Sequence, residues 1–474
     1  MSFRGEKIVM SEEKKLNMPQ SLLLLLLIIG SVAVCIRLKT GGPMIGLFFS
    51  WIIIYLFCKW LKIKYDHVVS GAYDAIRVVV PTLCLLMAIG VMIGTWLQSG
   101  TIATIIAGGL KLIDPTWLLP LTLVFCAVLS LVTGTSYGSV GSAGVAMMAI
   151  GNAMGINPGM VAGAVICGAM FGDKLSPLSD TTNLAPAVAG AKLNDHVRSM
   201  LWTTLPTFVI SLVLFVILGI SQTSGGYEEG NLLVYTEALQ GEFKLGLVTL
   251  IPAAVIIVLL LCKVNAIVSL GLSSVCAGAV AFFCQSATLQ SIIRVAYNGY
   301  TTQIEEAVLK TILNRGGMSS MLQYVAIICF AVGMGGMLDR LGVLDNILRA
   351  ITGRINSDGG LIFATLLVGY ITSLISCSQP MSHVLTGNMM KPLFKERKIA
   401  PEILSRSLED AGTLSGPMIP WHGYCVYMAG TLGVAWSAFP YLFLLYLTPF
   451  FSIFYGFTGI SIRHVEDENE QKQG

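Results

Sequence analysis

Long apolar runs, separated by short polar stretches, follow one another along the whole chain. Each run is continuous rather than alternating and has roughly the length that crosses a bilayer as a helix. This pattern predicts an all-α polytopic membrane protein with about 12–14 transmembrane segments, and it excludes a porin-like barrel. The predicted spans are 20–36, 43–60, 78–97, 117–133, 136–154, 158–172 and 199–221, then 245–262, 264–284, 319–338, 360–377, 380–394, 401–417 and 437–459.

The two sets of spans resemble each other when residue numbers are shifted by 243. Pro177 then matches Pro420, and Gly190 matches Gly433. The alternative is chance, because Gly, Pro and Ser recur in any membrane protein. Seven crossings in each set is an odd number, so we expect two inverted repeats with broken helices or re-entrant hairpins, as in secondary transporters. The predicted parts are a cytoplasmic segment 1–19, a first repeat 20–221, an acidic extracytoplasmic linker 222–242, a second repeat 243–460 and a cytoplasmic tail 461–474.

Composition agrees with this class and removes several functions. Charged residues make up 12% of the chain, against about 25% in soluble domains. The eleven cysteines include no CxxC pair, so we predict neither disulfides nor a resident metal. No Walker sequence occurs, so ATP is not the expected energy source, and neither a cofactor nor nucleic acid is expected. Arg37, rather than a small-residue cleavage site, follows the first run, which is therefore interpreted as a spanning helix.

The stretch 172–183 is the most polar interruption of the apolar pattern. A charge near the bilayer centre costs about 2.5–3.5 kcal/mol unless it is paired, hydrated or bound to an ion. Pro177 interrupts the helix and frees backbone carbonyls. We predict a broken helix with oxygen ligands for a small hard cation or a proton; the alternative is a solvated cytoplasmic loop. The candidate groups are Asp173, Lys174, Ser176, Ser179, Asp180, Thr181, Thr182 and Asn183.

A second polar group lies at the matching place in the other half. Arg406, Asp410 and Thr413 stand at i, i+4 and i+7, on one face of a helix, with Glu409 one step round. Arg406 is expected to neutralise one carboxylate and leave the other free to titrate. The alternative is an interfacial, salt-bridged helix. His422 follows as a candidate for charge change near neutral pH, although a lone histidine is more often simply hydrogen-bonded.

Two hydroxyl clusters occupy equivalent positions in the predicted repeats. Each lies where one apolar run ends and the next begins without a charged loop. A single Ser or Thr commonly bonds back to a helix carbonyl, but two matched clusters predict a shared pocket. The clusters are Thr133, Thr135 and Ser136 in the first half, and Ser376, Ser378 and Gln379 in the second.

The stretch Phe171–Asn183 and, more weakly, Leu408–Thr413 with Pro420-Trp421 resemble the NhaC family of Na⁺/H⁺ antiporters. The resemblance covers roughly 20–460. It implies a secondary antiporter of the bacterial inner membrane, with scaffold helices, a mobile transport region and tip-broken hairpins. Na⁺ and H⁺ would be the transported ions. Because the family also includes sodium-lactate/malate-proton exchangers, the resemblance does not fix the substrate.

The predicted exchange needs one site that takes either Na⁺ or H⁺, and a partly desolvated carboxylate meets this need. Asp173, Asp180 and Asp410 are the candidate titrating ligands, with Na⁺ placed at one of them. The expected partners are Na⁺, H⁺, small carboxylates, the lipid bilayer and a second copy in a homodimer. One alternative is exchange of malate or lactate, anchored by Lys174 or Arg406. A remoter one is an intramembrane enzyme, suggested by the GxSxG-like piece Gly134–Gly138.

Overall fold

The computed structural model describes residues 15–38, 42–223, 230–352, 357–434 and 436–465. Every regular element in these ranges is a helix, and their one pairing of extended backbone is an isolated antiparallel bridge between Ile399 and His464. The predicted all-α class is therefore confirmed. Parts of the predicted terminal segments and of the acidic linker lie outside the described residues.

The helices are numbered in chain order. The first half contains α1 (Met18–Arg37), α2 (Gly42–Leu61), α3 (Tyr65–Gln98), α4 (Thr101–Leu112), α5 (Pro115–Thr133), α6 (Ser136–Ser139), α7 (Val145–Ala153), α8 (Pro158–Leu175), α9 (Asp180–Ala189), α10 (Leu193–Thr223) and α11 (Gly230–Glu242). The second contains α12 (Ile251–Leu261), α13 (Ala266–Cys284), α14 (Leu289–Asn298), α15 (Ala307–Leu313), α16 (Met318–Arg340), α17 (Val343–Thr352), α18 (Asp358–Ser376), α19 (Gln379–Glu396), α20 (Pro401–Leu408), α21 (Gly423–Leu432) and α22 (Phe443–Thr458). π-Helical turns lie at Val140–Gly144 and Glu409–Thr413.

Eight of the described helices are long and apolar enough to cross a membrane, or up to ten spans if each bent pair counts as one. The helices Thr101–Leu112 and Phe443–Thr458 are apolar but shorter. The sequence suggested a higher number because several apolar runs are divided in the fold. The π-helical turn at Val140–Gly144 divides one of these runs, and the turn at Glu409–Thr413 divides another.

The chain forms two compact units. The smaller consists of residues up to Val78 together with Cys329–Arg354, and the larger consists of Val79–Ile328 and the chain from Ile355 onward. In the smaller unit, Trp51 Nε1 donates a hydrogen bond to the Phe330 carbonyl oxygen at 2.9 Å. Every candidate site residue from the sequence falls in the larger unit.

Helix bounds in the larger unit recur at the 243-residue spacing that aligns the two halves of the sequence. Shifted by this number, α5 coincides with α18 at both ends, and α9 coincides with α21 at both ends. α8 and α20 begin at equivalent prolines. Residues with positive φ also recur at this spacing: Gly134 and Cys377, Gly155 and Lys398, Gly190 and Gly433.

The two copies also share a close helix crossing. On α8, a Cβ at Gly168 would lie 2.3 Å from the Leu123 carbonyl oxygen of α5 and 3.0 Å from Cys126 Cβ. In the second copy the glycine lies on the other helix, where a Cβ at Gly369 of α18 would lie 2.6 Å from Ala411 Cβ. Small residues let helices approach closely. Both copies therefore have a close helix crossing, but the glycine that allows it lies on α8 in the first copy and on α18, the counterpart of α5, in the second.

A break separates α8 from α9, whose axes differ by 49°. Pro177 lies in the connecting residues 176–179, where it cannot donate a backbone hydrogen bond. Thr182 Oγ1 lies 3.0 Å from the Asp173 carbonyl oxygen and 3.1 Å from that of Lys174, so its hydroxyl replaces lost helical bonds. The broken helix predicted for this stretch is therefore confirmed.

Candidate functional site

Asp173 lies near the C-terminal end of α8 and is 7% exposed. Its Oδ2 accepts a hydrogen bond from Ser136 Oγ, and Ser136 Oγ is hydrogen-bonded in turn to the hydroxyl of Tyr424. Tyr424 belongs to α21, so this chain of hydroxyls joins a carboxylate of the first half to a helix of the second.

The equivalent contact in the second copy has different chemistry. Shifted by 243, Ser136 and Asp173 become Gln379 and Gly416. A Cβ on Gly416 would lie 3.1 Å from Gln379 Nε2, so the two positions again face each other. Gln379 Nε2 donates instead to the Thr413 carbonyl oxygen at 2.9 Å. The carboxylates of this half therefore lie one to two turns earlier along the helix.

Asp410 forms a fully buried ion pair with Lys174. Thr203 Oγ1 of α10 donates to the same oxygen, Asp410 Oδ1, at 3.2 Å. The other oxygen, Asp410 Oδ2, is buried and has no hydrogen-bond partner among the described residues. One face of this carboxylate is thus neutralised and the other is open to a ligand.

Glu409 precedes Asp410 in the π-helical turn and is 0% exposed. Neither of its carboxylate oxygens makes a hydrogen bond of normal geometry with the described residues, and the Thr413 hydroxyl is the side-chain donor beside it. The charges of Lys174, Asp173 and Asp410 all act on it, so the four ionisable groups form one cluster. π-Helical turns inside α-helices are frequent at functional sites.

The other polar residues of 172–183 mostly form hydrogen bonds within the segment that connects α8 to α9. Ser179 Oγ and Thr181 Oγ1 lie 3.0 Å apart, and Ser176 Oγ accepts from the Leu178 amide at 3.3 Å. Asn183 Nδ2 donates to the Ser179 carbonyl oxygen at 2.7 Å. The structure places the Asp180 and Asn183 side chains at the exposed surface and buries Ser176, Ser179, Thr181 and Thr182.

The hydroxyl clusters contribute unequally to this region. Thr133 Oγ1 bonds back to the Leu129 carbonyl oxygen at 2.7 Å, and Ser376 Oγ donates to that of Ser378 at 3.2 Å. The Ser378 hydroxyl is buried without a partner among the described residues. Of the six residues in the two clusters, Ser136 is the one whose side chain bonds to an acidic group.

His422 and Arg406 both make their hydrogen bonds outside the carboxylate cluster. His422 caps α21 by accepting from the Tyr424 amide at 3.0 Å through Nδ1. Arg406 is fully buried and donates from Nη1 to Ser461 Oγ at 2.9 Å. Asp410 forms its ion pair with Lys174, which lies in the last turn of α8 next to the break.

Three residues of this region were not among the sequence candidates: Thr203, Tyr424 and His383. Thr203 bonds to Asp410, and His383 Nε2 lies 3.1 Å from Thr413 Oγ1. All three are buried polar side chains in helices. A polar residue inside an apolar run was therefore the available signal.

Comparisons with known proteins identify relatives that match over most of the chain. The sequence profile of the Na⁺/H⁺ antiporter family matches residues 168–460, which include both carboxylate segments. The chain is 35% identical to the Na⁺/H⁺ antiporter NhaC of Alkalihalophilus pseudofirmus, over 95% of this chain and 97% of the relative. It is 32% identical to the Na⁺/H⁺ antiporter NhaC of Bacillus subtilis, over 94% and 99%. It is also 35% identical to the Malate-2H⁺/Na⁺-lactate antiporter of Bacillus subtilis, over 88% and 89%.

These relatives are all named as antiporters, which supports a transporter rather than the intramembrane enzyme considered from the sequence. The apolar helices and the bacterial relatives agree with the expected multi-pass protein of the inner membrane. The predicted family is confirmed: the chain belongs to the Na⁺/H⁺ antiporter family, as a relative of the NhaC antiporters.

Proposed function

We propose that this protein is a secondary antiporter that exchanges Na⁺ for H⁺ at the buried cluster Asp173, Lys174, Glu409 and Asp410. The observation that carries the proposal is the set of buried carboxylate oxygens, both on Glu409 and one on Asp410, that make no hydrogen bond of normal geometry with the described residues. Unpaired buried charge is costly. A bound cation or proton removes that cost.

The proposed site provides competition between the two ions. Na⁺ needs several oxygen ligands at once, whereas a proton needs only one carboxylate oxygen. A cation bound at the free oxygens of Glu409 or Asp410 occupies the same atoms that a proton needs, so each ion lowers the binding of the other. Lys174 keeps Asp410 Oδ1 neutralised throughout, so the exchange falls on the remaining oxygens.

The proposed movement uses the broken helices. In transporters with discontinuous helices, ion sites lie at the breaks, and one part of the protein rocks or slides around the site. Here the break between α8 and α9 carries Asp173, and the irregular segment between α20 and α21 carries Glu409 and Asp410. A neutralised cluster crosses the apolar region at lower cost than a charged one.

The test replaces the carboxylates one at a time in everted membrane vesicles. We expect Glu409→Gln and Asp410→Asn each to lower sodium-dependent proton movement by at least about tenfold, since each removes a charged ligand worth more than 1.4 kcal/mol. Asp173→Asn is expected to reduce it as well. Glu305→Gln is the matched control, because Glu305 is an exposed carboxylate outside the site.

The result for Asp180 is informative, because the sequence analysis named both Asp180 and Asp173 as candidate titrating ligands. Its side chain is exposed, so Asp180→Asn is expected to keep most of the activity. Full exchange activity in both Glu409→Gln and Asp410→Asn would contradict the proposal.

Exchange of a small organic acid is the second candidate function. It is favoured by the buried guanidinium of Arg406, whose Nε and Nη2 have no partner in the described part of the chain. A relative named as a malate/lactate antiporter supports it further. Uptake of labelled malate or lactate against Na⁺ in proteoliposomes separates the two functions. A homodimer stays a prediction.

A further inference from the structure

A polar cavity of about 450 Å³ lies in the larger unit and shares no lining residue with the carboxylate cluster. It is enclosed by the end of α14, the segments on either side of α15, the first turns of α16 and the C-terminal end of α21. Its polar lining includes Asn298, Tyr300, Asn314, Gln323 and Tyr324, and Arg315 is the one charged residue among them.

Arg315 has no acidic counter-ion among the described residues. Its Nη2 donates one long hydrogen bond, 3.5 Å, to the Thr431 carbonyl oxygen. A guanidinium carries five N–H donors, so most of its capacity is unused. Glu242 lies beside the cavity, but its carboxylate accepts from Tyr300 Oη at 2.6 Å and from Thr302 Oγ1. That carboxylate is therefore already engaged by other donors.

The fold keeps room for this guanidinium. Gly433 ends α21 at φ 72°, and a Cβ there would lie 2.2 Å from Arg315 Nη2. A Cβ on Gly430 would lie 2.9 Å from Tyr324 Cδ2. The backbone of Arg315 is fixed as well, because its carbonyl oxygen accepts from the Tyr300 amide at 3.1 Å.

Capping of α21 is the simplest role for Arg315, since a cation is stabilised near a helix C-terminus. Capping uses only one of its donors and does not require a polar cavity. The amides of Asn298, Asn314 and Gln323 around a single cation are not accounted for by capping.

We propose that this cavity binds a small carboxylate anion, with the Arg315 guanidinium as its anchor. A guanidinium matches a carboxylate through two parallel N–H···O bonds. The side-chain amides and the Tyr324 hydroxyl supply further donors for a hydroxy acid or dicarboxylate. The volume lies within the range of roughly 300–1,000 Å³ that is usual for small-molecule sites. The proposal does not rest on Na⁺/H⁺ exchange.

The anion would be linked to the carboxylate cluster through α21. The C-cap of this helix, Gly433, lies beside Arg315. Its first turn contains Tyr424, whose hydroxyl bonds to Ser136. Its ten residues span about 15 Å. Occupancy of the cavity would therefore bear on one end of a helix whose other end contacts the Asp173 hydroxyl chain.

The experiment measures binding of malate and lactate to the purified full-length protein in detergent by isothermal titration calorimetry. We expect millimolar or tighter binding, weakened at least about tenfold in Arg315→Gln, because the variant loses the charge-assisted bonds to the carboxylate. Arg315→Lys should recover part of the affinity. Arg294→Gln is the matched control, because Arg294 is exposed and does not line the cavity.

A second variant protects the test against misfolding. Gln323→Trp adds bulk at the exposed rim of the cavity while Arg315 itself is kept, and it should also abolish binding. The absence of binding to the unchanged protein would overturn the proposal. So would binding to Arg315→Gln and Gln323→Trp that is as tight as binding to the unchanged protein. Labelled uptake then distinguishes two sources of support: a transported anion gives uptake that Arg315→Gln removes, and a regulator changes Na⁺/H⁺ exchange without uptake. Glu409→Gln should retain anion binding even if the proposed exchange site is wrong.

Discussion

At the scale of single residues, the site depends on which carboxylate pairs with the buried Lys174 ammonium group. Lys174 is next to Asp173 in sequence but pairs with Asp410, 236 positions away. The sequence indicated the four charged residues that the fold gathers into this cluster, because polar groups in an apolar run are unusual. It could not indicate the partner of Lys174, because only the folded chain brings these two distant positions together.

The Lys174–Asp410 pair leads to a stability prediction. Lys174→Met leaves Asp410 buried without its counter-ion, and breaking such a pair costs about 3–5 kcal/mol. We therefore expect a clearly lower melting temperature for the purified protein in detergent. Adding Asp410→Asn to that variant should recover much of the loss, because the uncompensated charge is gone.

Lys111→Met serves as the control for this comparison, since Lys111 is exposed at the end of α4. Equal melting temperatures for Lys174→Met and Lys111→Met would show that the buried pair does not stabilise the fold.

At the scale of elements, the break between α8 and α9 was predictable and the form of its counterpart was not. Pro177 and the polar residues around it mark the first break. In the second copy, the prolines indicated an interruption, but the π-helical turn that carries Glu409 has no local sequence signature. Its position follows from packing against α18, where Gly369 admits Ala411.

The crossing of α5 and α8 gives a prediction at this scale. A Cβ on Gly172 would lie 2.2 Å from the Ala127 carbonyl oxygen and 2.5 Å from the Leu131 amide nitrogen. Gly172→Ala should therefore separate the helices, lower stability by about 1–3 kcal/mol and reduce transport by displacing the neighbouring Asp173. Thermal unfolding and vesicle transport measure the two effects.

Gly108→Ala is the corresponding control, because a Cβ on Gly108 meets nothing within 4 Å in the described structure. It should leave stability unchanged or raise it, since alanine favours a helix over glycine by up to about 1 kcal/mol. A harmless Gly172→Ala would contradict the close crossing.

At the scale of the whole molecule, contacts group the chain into two compact units that are not consecutive in sequence, and the division into two repeats stays a prediction. One compact unit combines the residues up to Val78 with Cys329–Arg354. The 243-residue spacing is visible in both sequence and helix bounds. The unit division depends on which surfaces pack, and α3 runs from one unit into the other. No linear pattern marks such a boundary.

The inverted arrangement predicts which ends of the helices face the same side. A cysteine introduced at Glu237, in the acidic stretch after α10, should react with a membrane-impermeant maleimide added outside intact cells. One introduced at Lys64, before α3, should react only in everted vesicles, as the positive-inside rule requires. Both side chains are exposed. Labelling of both from the same side would contradict the proposed topology.

The differing chemistry of the Ser136–Asp173 and Gln379–Gly416 contacts has a consequence for transport kinetics. Identical inverted copies would exchange shapes between the inward-open and outward-open forms, and those forms would have equal energy. Asp173 in one copy and Gly416 at the equivalent position in the other make the two energies unequal, because protonation changes only the contact that contains Asp173. The resting protein should then favour either the inward-open or the outward-open form, and pH should alter the balance between these two forms. Forward and reverse exchange should therefore proceed at unequal rates under equal and opposite gradients.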